Sequence, residues 1–138
     1  MNRAAGIIPA RWASTRFPGK PLHLIANKPL LWHVWERCRR AKKLDAVIIA
    51  TDDMRIARAA FDWGAEVAMT SPLHQSGTDR IAEVACRDLV AGMIVLLHDS
   101  PRYAERASAL ATAEAVPEIA DRAADLGLEL GPIGLSPA

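Results

Sequence analysis

Three short apolar runs, each followed by a longer amphipathic stretch, constrain the fold of this chain more than any other feature. The runs are Ala4 to Pro9 ("AAGIIP"), Ala46 to Thr51 ("AVIIAT") and Glu66 to Thr70 ("EVAMT"). Short, apolar and bounded by turn residues, they read as strands buried on both faces. Between them, apolar residues recur at helical spacing. Leu30, Leu31, Val34, Trp35 and Cys38 share one face of a first predicted helix, opened by Pro29, with Glu36, Arg37, Arg39 and Arg40 largely opposite. Ile56, Ala57, Ala60 and Phe61 share a face of a second, capped by Thr51 or Asp52 and stopped at Gly64. Ile81, Val84, Ala85 and Leu89 line one side of a third, within "TDRIAEVACRDL". The order βαβαβα predicts an α/β fold: a three-layer, Rossmann-like, mainly parallel sheet with helices on both faces.

Ligands of such sheets bind outside the carboxyl ends of the strands, so the loops there carry the chemistry. The first is "RWASTRFPGKPL", which puts Arg11, Arg16 and Lys20 within ten residues. Guanidinium gives paired hydrogen bonds to phosphate oxygens and lysine a compact charge, so the set suits a polyphosphate. Ser14 and Thr15 add hydroxyls, and the backbone at Gly19 tolerates close approach. The same charges also suit a solvated surface loop, and the residues alone leave both readings open. Neither G-x-x-x-x-G-K-[ST] nor G-x-G-x-x-G is present. A second loop, "SPLHQSGTDR", follows the third strand.

Composition excludes several alternatives. At 138 residues the chain forms one domain at most, and 51% hydrophobic with 24% charged residues is the balance of a globular protein. A net charge of +1 implies no nucleic-acid partner. No apolar run approaches the roughly 20 residues of a membrane span, and no signal-peptide pattern opens the chain. Cys38 and Cys86 lack C-x-x-C spacing and read as thiols in a reducing compartment. The expected location is the cytoplasm.

Five segments in this order, "IIPARWASTRFPGKPL", "LLWHVWERC", "VIIATDD", "EVAMT" and "HQSGTDRIAEV", closely resemble the N-terminal part of the 3-deoxy-manno-octulosonate (KDO) cytidylyltransferases, or CMP-KDO synthetases. The resemblance covers about residues 3–86. It implies the N-terminal half of a nucleotide-diphospho-sugar transferase fold that binds CTP. It also implies transfer of CMP from CTP to KDO with Mg²⁺, giving CMP-KDO and pyrophosphate for lipopolysaccharide biosynthesis, and a possible homodimer. Carried across, Arg11 and Lys20 grip the triphosphate as the catalytic cations, supported by Ser14 and Arg16. Pro9, Ala10, Gln75, Ser76 and Gly77 frame cytosine and ribose, and Asp79 and Arg80 complete the second loop.

The expected boundary lies near residue 88: a CTP-binding part at 1–88, then a divergent segment at 89–138 packed on the same sheet. The family's "NVQGDEP"-type metal motif and its sugar-binding segments are not found there. Residues from about 91 to 135 instead resemble the C-terminal end of polysaccharide deacetylases of the NodB-homology type, with His98 in "LLHD" matching their general acid. The upstream metal ligands of a deacetylase are absent, so hydrolysis is not expected. "IVLLHDSP" also has the shape of the missing motif, which would make Asp99 a Mg²⁺ ligand; a turn before Pro101 is the plainer reading. In the tail, Thr112 is the expected cap of a helix with Val116, Ile119, Ala120 and Ala123 on its apolar face and Pro117 near its start. Gly127 ends that helix, and "LELGPIGL" forms an edge strand.

The remaining polar candidates read as structural. Asp52 and Asp53 suit helix capping better than a metal pair. His74 is a loop histidine without an assigned role, His33 packs beside Trp32 and Trp35, and His23 has no visible partner.

Overall fold

The structure, a computed structural model, describes residues 5–14, 17–87, 89–91, 95 and 110–131. Three strands form the expected parallel sheet: β1 (Ala5–Ala10), β4 (Ala46–Thr51) and β5 (Glu66–Met69), in the order β1-β4-β5. Register pairs Ala5 with Ala46 through to Ala10 with Thr51, and Ile48 with Glu66 through to Thr51 with Met69. Two short strands, β2 (Leu24–Ile25) and β3 (Lys28–Pro29), make a separate hairpin. Its two-residue turn places Ala26 at φ 48 and Asn27 at φ 62, both in the left-handed region that a tight hairpin demands.

Four helices complete the described chain: α1 (Leu30–Arg39), α2 (Met54–Asp62), α3 (Gly77–Arg87) and α4 (Leu110–Asp125). Both parallel crossovers step in the same direction across the sheet, so right-handedness puts α1 and α2 on one face. Leu31 and Trp35 of α1, Ile56 and Ala60 of α2, and Ala10, Val47 and Ile49 of the strands bury together there, with Ile8 packed against them. Helix α3 covers the other face. A side chain at Gly77 would meet Pro9, which alternates with Ile8 and Ala10 along β1. Helix α4 packs outside α3, burying Ala115 and Ile119 against Ala82.

Several details depart from the sequence reading. The cap of α2 is Asp53, one of the two aspartates expected to cap here, and not Thr51 or Asp52; its carboxylate accepts from the Arg55 backbone N–H at 2.9 Å. Thr51 serves the same turn differently, its hydroxyl accepting from the Asp53 N–H at 3.2 Å. Phe61 is exposed because it lies a large rotation around the helix from Ile56 and Ala60, which do reach the core. Val34 is likewise exposed, leaving Leu31 and Trp35 to bury α1. Helix α4 begins at Leu110, so Thr112 is inside it and Pro117 in its middle rather than near its start. Its buried stripe is Ala115, Ile119 and Ala123, at i, i+4, i+8, and Val116 falls outside that stripe. Gly127 does end it, at φ 68: the Gly127 N–H donates to the Ala124 carbonyl and the Leu128 N–H to the Ala123 carbonyl, a paired C-cap that needs the positive φ. Residues 128–131 are not strand; the rest of the expected edge strand lies outside the described residues.

Candidate functional site

The loop after β1 and the loop before α3 meet at the carboxyl end of the sheet. Arg11, the first residue beyond β1, donates from Nη1 to the Gln75 carbonyl at 3.1 Å. Beside this contact lies a shallow cavity of about 140 Å³, lined by Pro9, Ala10, Arg11, Ser76, Gly77 and Arg80. Gly77 lies close against the strand end: a Cβ there would come 3.2 Å from Pro9 Cγ, a tight contact. All six lining residues belong to the set expected from sequence.

The far wall is built by the start of α3. Ser76 and Asp79 cap that helix reciprocally: the Asp79 N–H donates to Ser76 Oγ at 3.1 Å and the Ser76 N–H to Asp79 Oδ2 at 2.9 Å. Asp79 therefore shapes the loop through the cap. Arg80 is 2% exposed and is secured from three sides. Its Nη2 lies 3.3 Å from Asp52 Oδ2, and its Nη1 donates to Thr70 Oγ1 and, at 3.5 Å, to the Ser71 carbonyl. These partners hold the buried guanidinium in place beside the cavity that Arg80 helps to line.

The basic loop folds back on itself. The Gly19 N–H donates to the Trp12 carbonyl at 3.0 Å, and Gly19 sits at φ 72 against the Trp12 ring. Lys20 follows at once, exposed, in a 3₁₀ turn of residues Lys20–Leu22. Ser14 Oγ accepts from the Phe17 N–H at 3.3 Å, stabilising the loop from inside. Neither Lys20 nor Ser14 lines the cavity, and Arg16 lies outside the described residues. So do His98 and Asp99.

Three supporting residues had no assigned part in the sequence reading: Trp12, Arg55 and Glu83. Trp12 carried a signal, since an aromatic in a loop of small residues needs a surface to lie on. Glu83 carried a weaker one, four residues before Arg87 on one helix face. The pairing of Asp52 with Arg80 had none, because the two are distant in sequence. Among the histidines, His33 Nε2 contacts the Ile25 carbonyl at 2.8 Å and the His23 ring packs edge-on against Phe17.

A Mg²⁺ ion would need carboxylate or phosphate oxygens here. Among the described residues no cluster of three metal-ligating side chains exists. Asp52 is committed to Arg80 and Asp79 to the α3 cap, so the described residues do not by themselves fit a protein-held metal.

The Cytidylyltransferase family model matches residues 5–107, most of the chain. The chain belongs to that cytidylyltransferase family. Curated relatives include the 3-deoxy-manno-octulosonate cytidylyltransferase of Geobacter sulfurreducens, 59% identical over 87 residues that make up 63% of this chain and 34% of that protein. The protein of the same name from Solibacter usitatus is 52% identical over 100 residues, 72% of this chain and 40% of the relative. Among solved structures, CMP:2-keto-3-deoxy-manno-octonic acid synthetase complexed with CTP superposes with a TM-score of 0.60 at 44% identity, covering 62% of this chain and 35% of that one. The chain thus spans about a third of the length of the curated relative from Geobacter, 34% of it. No described helix is long and apolar enough to cross a membrane.

Proposed function

We propose that this chain is the CTP-binding part of a KDO cytidylyltransferase. The observation that carries the reading is the meeting of Arg11 with the Gln75 carbonyl beside a cavity underlain by Arg80. The likeness to a synthetase solved with CTP supports the choice of nucleotide. Arg11 and Lys20 hold the triphosphate, with Ser14 and Arg16 ordering the loop between them. Pro9, Ala10, Gln75, Ser76 and Gly77 face base and ribose, and Asp79 and Arg80 hold the second wall. In the reaction proposed, the anomeric hydroxyl of KDO attacks the α-phosphorus of CTP and pyrophosphate leaves. The product, CMP-KDO, is the activated sugar for lipopolysaccharide assembly in the cytoplasm. Nucleotidyl transfer demands mainly positioning and charge neutralisation, which fixed cations supply. Mg²⁺ in this proposal arrives with the triphosphate, and Asp99 is its candidate protein ligand. Association into a homodimer is part of the same reading.

A second reading, a module that holds CTP without transferring CMP, is favoured by one observation: no described carboxylate at the cavity is free. One experiment separates the two. The protein is mixed with CTP, Mg²⁺ and KDO, pyrophosphate is assayed, and CTP binding is followed by calorimetry. Pyrophosphate above blank supports the transferase, and CTP binding without pyrophosphate supports the module. Absence of CTP binding refutes both.

A further inference from the structure

One group of polar side chains beside the cavity has no place in the reading above. Glu83, on α3, gathers three donors. Its Oε2 accepts from the Ser71 N–H at 2.9 Å and from His74 Nε2, and its Oε1 from Arg87 Nη2. Arg87 in turn donates from Nη1 to the Met69 carbonyl at 2.7 Å. Burial pushes the Glu83 carboxyl up, but the Ser71 N–H, His74 and the Arg87 charge outweigh it and hold the group below the usual range. Glu83 is therefore an anion to which the end of β5 and the following loop are tied.

His74 is the last of these ties before the cavity. It immediately precedes Gln75, whose carbonyl receives Arg11, and Ser76, which caps α3. Pro72 and Leu73 before it are exposed, and the Leu73 N–H reaches only as far as Ser71 Oγ, at 3.2 Å. Between Ser71 and Ser76, the hydrogen bond of His74 is thus the side-chain bond that joins this loop to the body of α3. The imidazole is mostly enclosed, with 21% of the side chain exposed, in keeping with a fixed rather than a solvated ring.

We infer that His74 is a positioning residue for nucleotide binding: by donating to Glu83 it fixes the Gln75 carbonyl where Arg11 needs it. This rests on the CTP reading above. Without the tie, the segment between Ser71 and Ser76 has more conformations available, and the entropy of ordering it falls on ligand binding. His74 touches no ligand in this scheme and acts only through Gln75 and Arg11.

The test is CTP titration by calorimetry on the full 138-residue chain, with thermal unfolding recorded for each variant. His74→Ala should bind CTP about fivefold more weakly, the loss expected of one hydrogen bond. His74→Gln, whose amide can donate to the same carboxylate, should restore most of the affinity. In an Arg11→Ala background, His74→Ala should add less than about a twofold loss, because the link it supports is already broken. Should His74→Ala fail to fold, His74→Asn, too short to reach Glu83, carries the same comparison. A wild-type affinity in His74→Ala, or a full additional loss in the Arg11→Ala background, overturns the inference while leaving CTP binding intact. A wild-type chain that binds no CTP overturns the nucleotide reading itself.

Discussion

The guanidinium carbon of Arg55 lies 3.5 Å from the centroid of the Trp12 ring. Arg55 is aimed there by the α2 cap residue: its Nε and Nη2 donate to the two oxygens of Asp53 at 3.0 and 2.6 Å. The same indole lies against Gly19, where an added Cβ would fall 2.9 Å from its Cη2. One aromatic ring therefore joins the first turn of α2 to the basic loop.

Glycine substitutions measure how firmly. Gly64 has φ 78 and nothing within 4 Å of a built Cβ, so Gly64→Ala should cost about 1–2 kcal/mol from backbone strain alone. Gly19→Ala has the same kind of strain, at φ 72, and must also displace the ring. It should lose clearly more stability in urea unfolding. Equal losses for the two variants would mean that the indole yields freely.

The buried pair of Asp52 and Arg80 allows a second comparison. Removing Asp52 leaves a guanidinium that is 2% exposed without its counter-charge. Since Asp52 itself retains some solvent contact, Asp52→Ala should cost near the lower end of the roughly 3–5 kcal/mol typical of a broken buried pair. Denaturant unfolding reads this directly, and a loss below about 1 kcal/mol would show that Thr70 and Ser71 suffice to hold Arg80.

Acid should weaken the fold through Asp53 and Glu83. The side-chain hydrogen bond from Arg55 leads the causes that lower the Asp53 carboxyl below its ordinary 3.8. Glu83 is also lowered from 4.5; burial raises it, and the Ser71 N–H, His74 and Arg87 more than compensate. Both folded-state values lie below the unfolded ones, so their stabilisation is present in full above the ordinary carboxylate range. It disappears as pH falls through the folded values, and stability should decline with acid from about pH 5 downward. Glu83→Gln should flatten that decline when unfolding free energy is followed between about pH 3 and 7. An unchanged slope would exclude Glu83 as a contributor.

For ligand binding, Arg11→Ala and Lys20→Ala should each weaken CTP by at least about 1.5–3 kcal/mol, the range of hydrogen bonds to charged groups. Arg11 contacts the second loop, whereas Lys20 is exposed and outside the cavity wall. A loss in Arg11→Ala with none in Lys20→Ala would therefore restrict the phosphate site to the cavity proper. Calorimetric affinities unchanged in both would refute the phosphate role of the loop.

The sheet and three of its helices were legible because burial imposes period. Strands at 46–51 and 66–69 follow from short apolar runs, and the buried positions Leu31, Trp35, Ile56 and Ala60 from helical spacing. The two loops at the strand ends were legible from topology, and the six cavity-lining residues through the resemblance to the KDO cytidylyltransferases. Less legible was where amphipathic faces end. Phe61 and Val34 are apolar at helical spacing, yet each lies outside the covered stripe. The α4 start was misplaced because Thr112 offers a capping hydroxyl inside an Ala-rich run that is helical on both sides of it. Contacts made across the fold, Asp52 with Arg80 and Trp12 with Arg55, leave no local periodicity to read.

The hydrogen bond from Arg11 to Gln75 spans 64 positions of chain, with two crossovers of the sheet between its ends. Both groups are in place only once both crossovers have formed. Whatever occupies the concavity must therefore brace the sheet that these crossovers build. Its arrival would slow amide exchange at the centre of β4, far from any atom it touches.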